Sequence, residues 1–266
     1  MRASCLQVRR FADLILFDTH THINDARFDE DRASVIENML AAGVKLAMVV
    51  GEASKDHDIA FELAEAYPFL YAATGVHPHE ASKWSKDMEE RIVQAMAHPK
   101  ARALGEIGLD YHYDLSPREE QREVFACQLA MAKSLDKPVI VHIREAHGEA
   151  MDIMRACDLP RGVLHCYTGS WESAKVYLNM GFYISLSGAV TFKNAPKLAE
   201  VAQNVPLDRL LVETDCPYMA PVPKRGNRNE PAFVEFTARK IAELRGMDAE
   251  EFAFAAYENG KRLFGI

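Results

Sequence analysis

Eight short apolar runs alternate along this chain with longer amphipathic segments, and five of the eight end in a histidine or a carboxylate. The strand-like runs begin at Leu14, Val44, Leu70, Ala101, Pro138, Gly162, Phe182 and Arg209. Helical patterns lie between them, for example Arg32 to Ala42, Lys55 to Tyr67, Pro117 to Leu135 and Ala146 to Cys157. Such alternation makes a parallel sheet covered by helices. The helix near Pro117 is expected to start with Ser116 as N-cap and Pro117 at its first position. Residues 230–266 read as two further helices, broken near Gly246-Met247-Asp248 and packed on the outside.

Where the polar residues fall decides between two parallel architectures. His20 and His22 close the first run, Glu106 the fourth, His142 the fifth, His165 the sixth and Asp215 the eighth. In an open, doubly wound sheet the outermost of these would lie too far apart to share a site. In a single-domain (β/α)8 TIM barrel over 13–266, all five C-terminal strand ends ring one mouth, where such folds place their chemistry. The barrel is therefore the expected fold.

Alternate strand residues share a face, so both imidazoles of His20-Thr-His22 point the same way, near Asp18. Mixed nitrogen and carboxylate donors suit zinc, manganese or another first-row divalent ion. Glu106 lies between Gly105 and Gly108, so backbone can approach a ligand closely there. Its two oxygens could bridge two metals. Asp215 could both ligate an ion and accept a proton from water. Glu213, two residues earlier, is either a site residue or a structural acid paired with a buried base. Cys166 and Cys216 adjoin ligands but face away by the strand period, as packing residues. The pattern argues for a metal hydrolase.

Composition narrows the setting. Hydrophobic residues make up 48% of 266, and no apolar run reaches the length of a membrane span, so an ordinary globular chain is expected. Five cysteines, Cys5, Cys127, Cys157, Cys166 and Cys216, are odd in number and form no Cys-x-x-Cys pair, which favours a reducing, cytoplasmic setting. The net charge of −8 argues against a broadly basic, nucleic-acid-coating surface. It does not exclude a nuclease, since bound cations can hold phosphate within an acidic protein. Residues 1–12 carry Arg2, Arg9 and Arg10 and no acid, yet the following apolar stretch is too short for a signal core. They read as a disordered or extended tail, or as the product of an upstream start codon.

Seven stretches in order give the chain a family resemblance. They are Asp18-Thr-His-Thr-His22, Gly75-Val-His-Pro-His79, Gly105-Glu-Ile-Gly-Leu-Asp110, Pro138-Val-Ile-Val-His142, His165-Cys-Tyr-Thr-Gly169, Glu213-Thr-Asp-Cys-Pro217 and Arg225-Gly-Asn-Arg-Asn-Glu-Pro231. Together they resemble the TatD-like metal-dependent deoxyribonucleases of the amidohydrolase superfamily. The resemblance implies a divalent-metal phosphodiesterase acting on DNA ends or single strands, directed to the 3′ end. It implies one metal on His20, His22, Glu106 and Asp215 and a second on Glu106, His142 and His165. Magnesium, manganese, zinc and cobalt all fit such a donor set.

Other residues are candidates for substrate contact. His77 could hydrogen-bond a phosphate oxygen, and His79 faces the mouth or the surface. Arg144 could contact phosphate or pair with Glu145 or Glu149. Arg225, Asn227 and Asn229 lie in a donor-rich loop beyond the last strand, where this fold often binds phosphate. His57, His98 and His112 read as surface residues, and His147 opens a helix near the mouth. A hydrolase of small esters, amides or lactones is the alternative enzyme, and a non-catalytic metal- or partner-binding barrel the alternative class. No heptad stripe demands a partner, so a monomer is the default.

Overall fold

The computed structural model describes residues 14–158 and 161–266. The expected tail over 1–12, with its arginines and Cys5, lies outside the described residues. Eight strands form one parallel sheet in sequence order. They are β1 (Leu16–Thr21), β2 (Val44–Glu52), β3 (Leu70–Gly75), β4 (Ala101–Asp110), β5 (Val139–Arg144), β6 (Gly162–Leu164), β7 (Tyr183–Leu186) and β8 (Leu210–Val212). Helices α1 (Arg32–Ala41), α2 (His57–Ala66), α3 (Lys86–Met96), α4 (Arg118–Ser134), α5 (His147–Cys157), α6 (Trp171–Asn179) and α7 (Pro196–Asn204) follow the first seven strands in turn. Two more, α8 (Val234–Arg245) and α9 (Ala249–Phe264), follow β8 and are divided at Gly246, as expected. The chain is a single-domain (β/α)8 barrel.

The seam between β8 and β1 is closed by the site's own residues. Thr21 and Cys216 form a short parallel bridge. The His22 amide donates to the Cys216 carbonyl at 2.9 Å, and the Asp215 amide donates to the His20 carbonyl at 3.0 Å. Asp18 reinforces the joint, accepting from the Thr214 amide at 2.8 Å and the Thr214 hydroxyl at 2.5 Å. Barrel closure and ligand placement are thus one structural event.

Two apolar layers hold the barrel. Inside it lie Phe17, Met48, Val50, Ala73, Ala103, Ile140, Val163, Tyr183 and Leu211, one or two from every strand. A larger outer layer joins the sheet to the helices. The last turn of α9 departs from the expected outside packing: Leu263 and Phe264 belong to the inner cluster. The Phe264 ring lies 5.8 Å from that of Phe17, near the start of β1, so α9 seals the end opposite the mouth.

The start of α4 also differs from expectation. Pro117, with ψ 134°, is the N-cap, and Ser116 does not cap the helix. The Ser116 hydroxyl is already committed, donating to the His79 carbonyl at 2.9 Å and meeting Ser82 Oγ at 2.8 Å. It ties two loops at the mouth instead.

Candidate metal centre

Two ligand-bearing strands need a change of phase before their ligands can face inward. In β1 the inner residue is Phe17, and register slips between Asp18 and Thr21, after which His20 faces the mouth. In β4 the inner residue is Ala103, and register slips between Leu104 and Ile107, which turns Glu106 inward. An extra residue in a strand re-aims every side chain beyond it. Gly108 follows in β4 at φ 147°; a Cβ there would lie 1.8 Å from the His142 carbonyl oxygen. Strands β5 and β6 need no slip, since Ile140 and His142, and Val163 and His165, simply share the inner face.

Donor atoms from three strand ends gather about His20 and His22. His20 Nε2 lies 3.0 Å from His22 Nε2, 3.3 Å from Glu106 Oε2 and 3.8 Å from Asp215 Oδ1. His22 Nε2 lies 3.8 Å from Glu106 Oε2 and 3.6 Å from Asp215 Oδ1. Bonds of about 2.0–2.2 Å in a tetrahedral shell put donors about 3.3–3.6 Å apart. These separations fit a cation.

The other oxygen of Glu106 faces a second group. Glu106 Oε1 lies 2.7 Å from His165 Nε2, 2.8 Å from His142 Nδ1 and 3.4 Å from His77 Nε2. His142 Nδ1 and His165 Nε2 are 3.3 Å apart. One carboxylate therefore turns an oxygen toward each of two sets of imidazoles. All the sequence-derived ligands are brought together.

Hydrogen bonds away from the centre orient the His22, His142 and His77 rings. His22 Nδ1 faces the Val50 carbonyl at 3.0 Å, so the neutral ring keeps its proton there and presents a bare Nε2. His142 Nε2 faces Asp110 Oδ2 at 3.1 Å, which leaves Nδ1 bare toward Glu106. His165 Nδ1 lies 3.4 Å from Glu213 Oε1, again on the side away from the centre. His77 is the reverse case: its Nδ1 accepts from the His79 amide at 3.2 Å. A neutral His77 therefore keeps its proton on Nε2, the atom aimed at the centre. In that form it faces Glu106 Oε1 as a donor.

The charges follow the same arrangement. Burial opposes ionisation of Glu106, but the neighbouring imidazoles of His165, His77 and His142 hold its carboxyl well below the usual range. Asp215, also against burial, is held below its ordinary value by His22, His165 and His20. Burial pushes His77 down to about 4, so it is neutral near pH 7. His22 goes the other way, up to about 9, because Asp215 and Glu106 outweigh its burial. Two ionised carboxylates thus face histidines whose protons a cation would displace.

The remaining candidates divide. Arg144 pairs with neither Glu145 nor Glu149; its guanidinium lies over Tyr113 at 4.7 Å, while Glu145 holds His112 and Glu149 holds Arg122. Arg225 stacks on Phe192 at 3.9 Å. Both Arg225 and Asn227 line a cavity of about 320 Å³ with Phe192, Pro217 and Met219. Asn229 cannot contact substrate as expected. It is fully buried, and its amide donates to the Thr214 and Tyr218 carbonyls at 2.8 and 2.6 Å. It anchors the loop after β8.

One histidine was misplaced by sequence. His57 is not on the surface but buried, between Thr74 Oγ1 at 3.1 Å and the Arg91 guanidinium at 2.9 Å. His79 is held by Asp110 Oδ2 at 3.0 Å. His147 meets the Tyr177 hydroxyl at 2.9 Å, and Glu213 also accepts from the Cys166 amide. Sequence reasoning gave Asp110 no role. The signal was present, since Asp110 lies four residues beyond Glu106 on the same strand face.

Comparison with known proteins agrees with this geometry. The family model described as TatD related DNase matches residues 17–265. An uncharacterized metal-dependent hydrolase, YabD of Bacillus subtilis, is 45% identical over 95% of this chain and all of its own length. The 3′-5′ ssDNA/RNA exonuclease TatD of Escherichia coli K12 is 36% identical over 94% of this chain and 99% of its own. The crystal structure of YjjV, a TatD homologue from the same organism, superposes with a TM-score of 0.90 at 33% identity, covering 96% of this chain and 99% of that one. A metal-binding mouth, its ligand order and this similarity along the whole barrel converge: the chain belongs to the TatD-related DNase family of metal-dependent hydrolases.

Proposed function

We propose that this protein is a two-metal exonuclease that removes nucleotides from the 3′ end of single-stranded DNA. The observation that carries the reading is Glu106, whose two oxygens face two separate donor groups. His20, His22, Glu106 and Asp215 would hold one divalent ion; Glu106, His142 and His165 would hold the other. When bound, such ions lower the pKa of coordinated water and stabilise charge on phosphoryl oxygens. Zinc, manganese, cobalt and magnesium all suit these donors.

The chain's own groups have complementary roles. Asp215 turns Oδ1 toward the imidazoles, and as general base it would accept a proton from the attacking water. Glu106 fixes the spacing of the two positions. His77 offers Nε2–H to a phosphate oxygen. Arg144 and the Arg225–Asn227 loop supply positive charge and donors at the rim. The 3′ direction is supported by the name of the Escherichia coli relative.

No helix among the described residues is long and apolar enough to cross a membrane. A monomer acting in the cytoplasm completes the reading.

The test is cleavage of single-stranded oligonucleotides labelled at either end, with manganese or magnesium and with EDTA. Metal-dependent shortening that starts at the 3′ end, absent in Glu106→Ala and Asp215→Asn, is expected. Turnover of carboxyl esters without any cut DNA, in protein holding two ions, would favour the small-molecule hydrolase instead.

A further inference from the structure

Two tyrosines at the mouth are unexplained by the metal centre. Tyr218, just beyond Asp215, is 50% exposed, and Tyr113, just beyond Asp110, is 55% exposed. Single exposed aromatic residues are common on proteins and signify little. These two share a construction. Each stands near edge-on to an imidazole of the site: Tyr218 to His22 at 6.4 Å, Tyr113 to His79 at 5.5 Å. Each also carries a guanidinium over its ring, Arg27 at 4.4 Å and Arg144 at 4.7 Å.

Their positions bracket the centre. Tyr218 adjoins the position made by His20, His22 and Asp215, whereas Tyr113 adjoins His79 and Asp110, which back the position at His142. The two arginines differ in a useful way. Arg27 is clamped by Asp25 through two bonds of 2.9 and 2.8 Å, so its plane is fixed. Arg144 has no ion pair among the described residues, so its charge is free for a phosphate. A half-exposed ring with a cation beside it suits a nucleobase next to its phosphate. Bases stack on aromatic faces whatever their identity, and arginine adds to the attraction.

The geometry points to Tyr218 and Tyr113 as stacking platforms for the bases on either side of the scissile phosphodiester. This rests on the nuclease reading and adds how that site chooses its substrate. A base must be unpaired to lie on a platform, so the pair would favour single strands and frayed ends over closed duplex. Stacking does not read the sugar, so ribose and deoxyribose strands would be accepted by the same contacts.

The experiment removes the ring and the base separately and together. Steady-state cleavage in manganese would compare an oligothymidylate with a strand of equal length whose two 3′-terminal nucleotides are abasic. Wild type, Tyr218→Ala, Tyr113→Ala, Tyr218→Trp and Tyr113→Trp would be used. Each alanine variant should raise KM for the base-bearing strand by about 5- to 150-fold, the worth of one base–aromatic stack. Tryptophan should restore most of it. Ring and base removal should be non-additive, the doubly deleted pair losing little more than either alone. Additive losses, or an unchanged KM in both alanine variants, would overturn the assignment. Anisotropy of a fluorescent phosphorothioate strand gives a second readout. If wild type cuts nothing, the nuclease reading falls, and the platforms stand only if both alanine variants weaken this binding.

Discussion

Asp110 Oδ2 lies 3.1 Å from His142 Nε2, and this contact determines which nitrogen of His142 is bare. The other oxygen of Asp110 accepts from the His112 and Tyr113 amides at 3.0 and 2.9 Å, so the carboxylate itself is fixed. Partners of this kind typically set metal affinity by about 10- to 100-fold. Asp110→Ala should weaken the second metal position by that factor and leave the first nearly intact. Equilibrium dialysis with a metal assay measures both. Equal weakening at the two positions would rule out so local a role.

The shared carboxylate makes a stronger claim. If Glu106 serves both positions, Glu106→Ala should lose both ions, whereas His142→Ala should lose one. Elemental analysis of folded, dialysed protein distinguishes the cases. A Glu106→Ala variant still holding one tightly bound ion would mean that only one oxygen of Glu106 matters.

Asp215 is both neighbour of a cation position and candidate general base. Asp215→Asn keeps an oxygen that can ligate but removes the proton acceptor. With metal restored by excess ion, kcat should fall by about 10²–10⁴-fold, the usual worth of a positioned base. A loss confined to KM would move the proton elsewhere.

Much of this was legible in the sequence, for a definite reason. Each ligand ends an apolar run, and strand ends converge in a barrel whatever the details of register. The inward turn of His20 and Glu106 was not legible by periodicity, because it depends on register slips between Asp18 and Thr21 and between Leu104 and Ile107. Ser116 failed as a cap because its hydroxyl meets residues more than thirty positions away. His57 looked like a surface residue for the same reason, since Thr74 and Arg91 enclose it only in three dimensions.

Asn229 is the sharpest correction, and it predicts differently from a substrate contact. Asn229→Ala would leave the Thr214 and Tyr218 carbonyls unpaired, each costing about 1–3 kcal/mol when buried. In a domain of this size that lowers Tm by roughly 4–24 °C, at about 2–4 °C per kcal/mol. Thermal unfolding of the metal-loaded protein measures it. A Tm within a degree of wild type would show that the loop after β8 does not depend on this side chain.

The protons at the centre give the last prediction. In the metal-free protein His22 is pushed up to about 9 by Asp215 and Glu106, against an ordinary value near 6.5. A raised folded-state value favours the folded, metal-free protein fully below about 6.5 and loses that effect as pH climbs through about 9. Bound metal reverses the sense, because the ion needs the bare Nε2 and must displace the proton. Loading near pH 7 should therefore release at least one proton, and apparent affinity should rise with pH until about 9. Calorimetry in buffers of different ionisation enthalpy counts those protons directly. Metal binding with no proton release between pH 6 and 8 would mean that His22 is already neutral and that the carboxylates do not govern it.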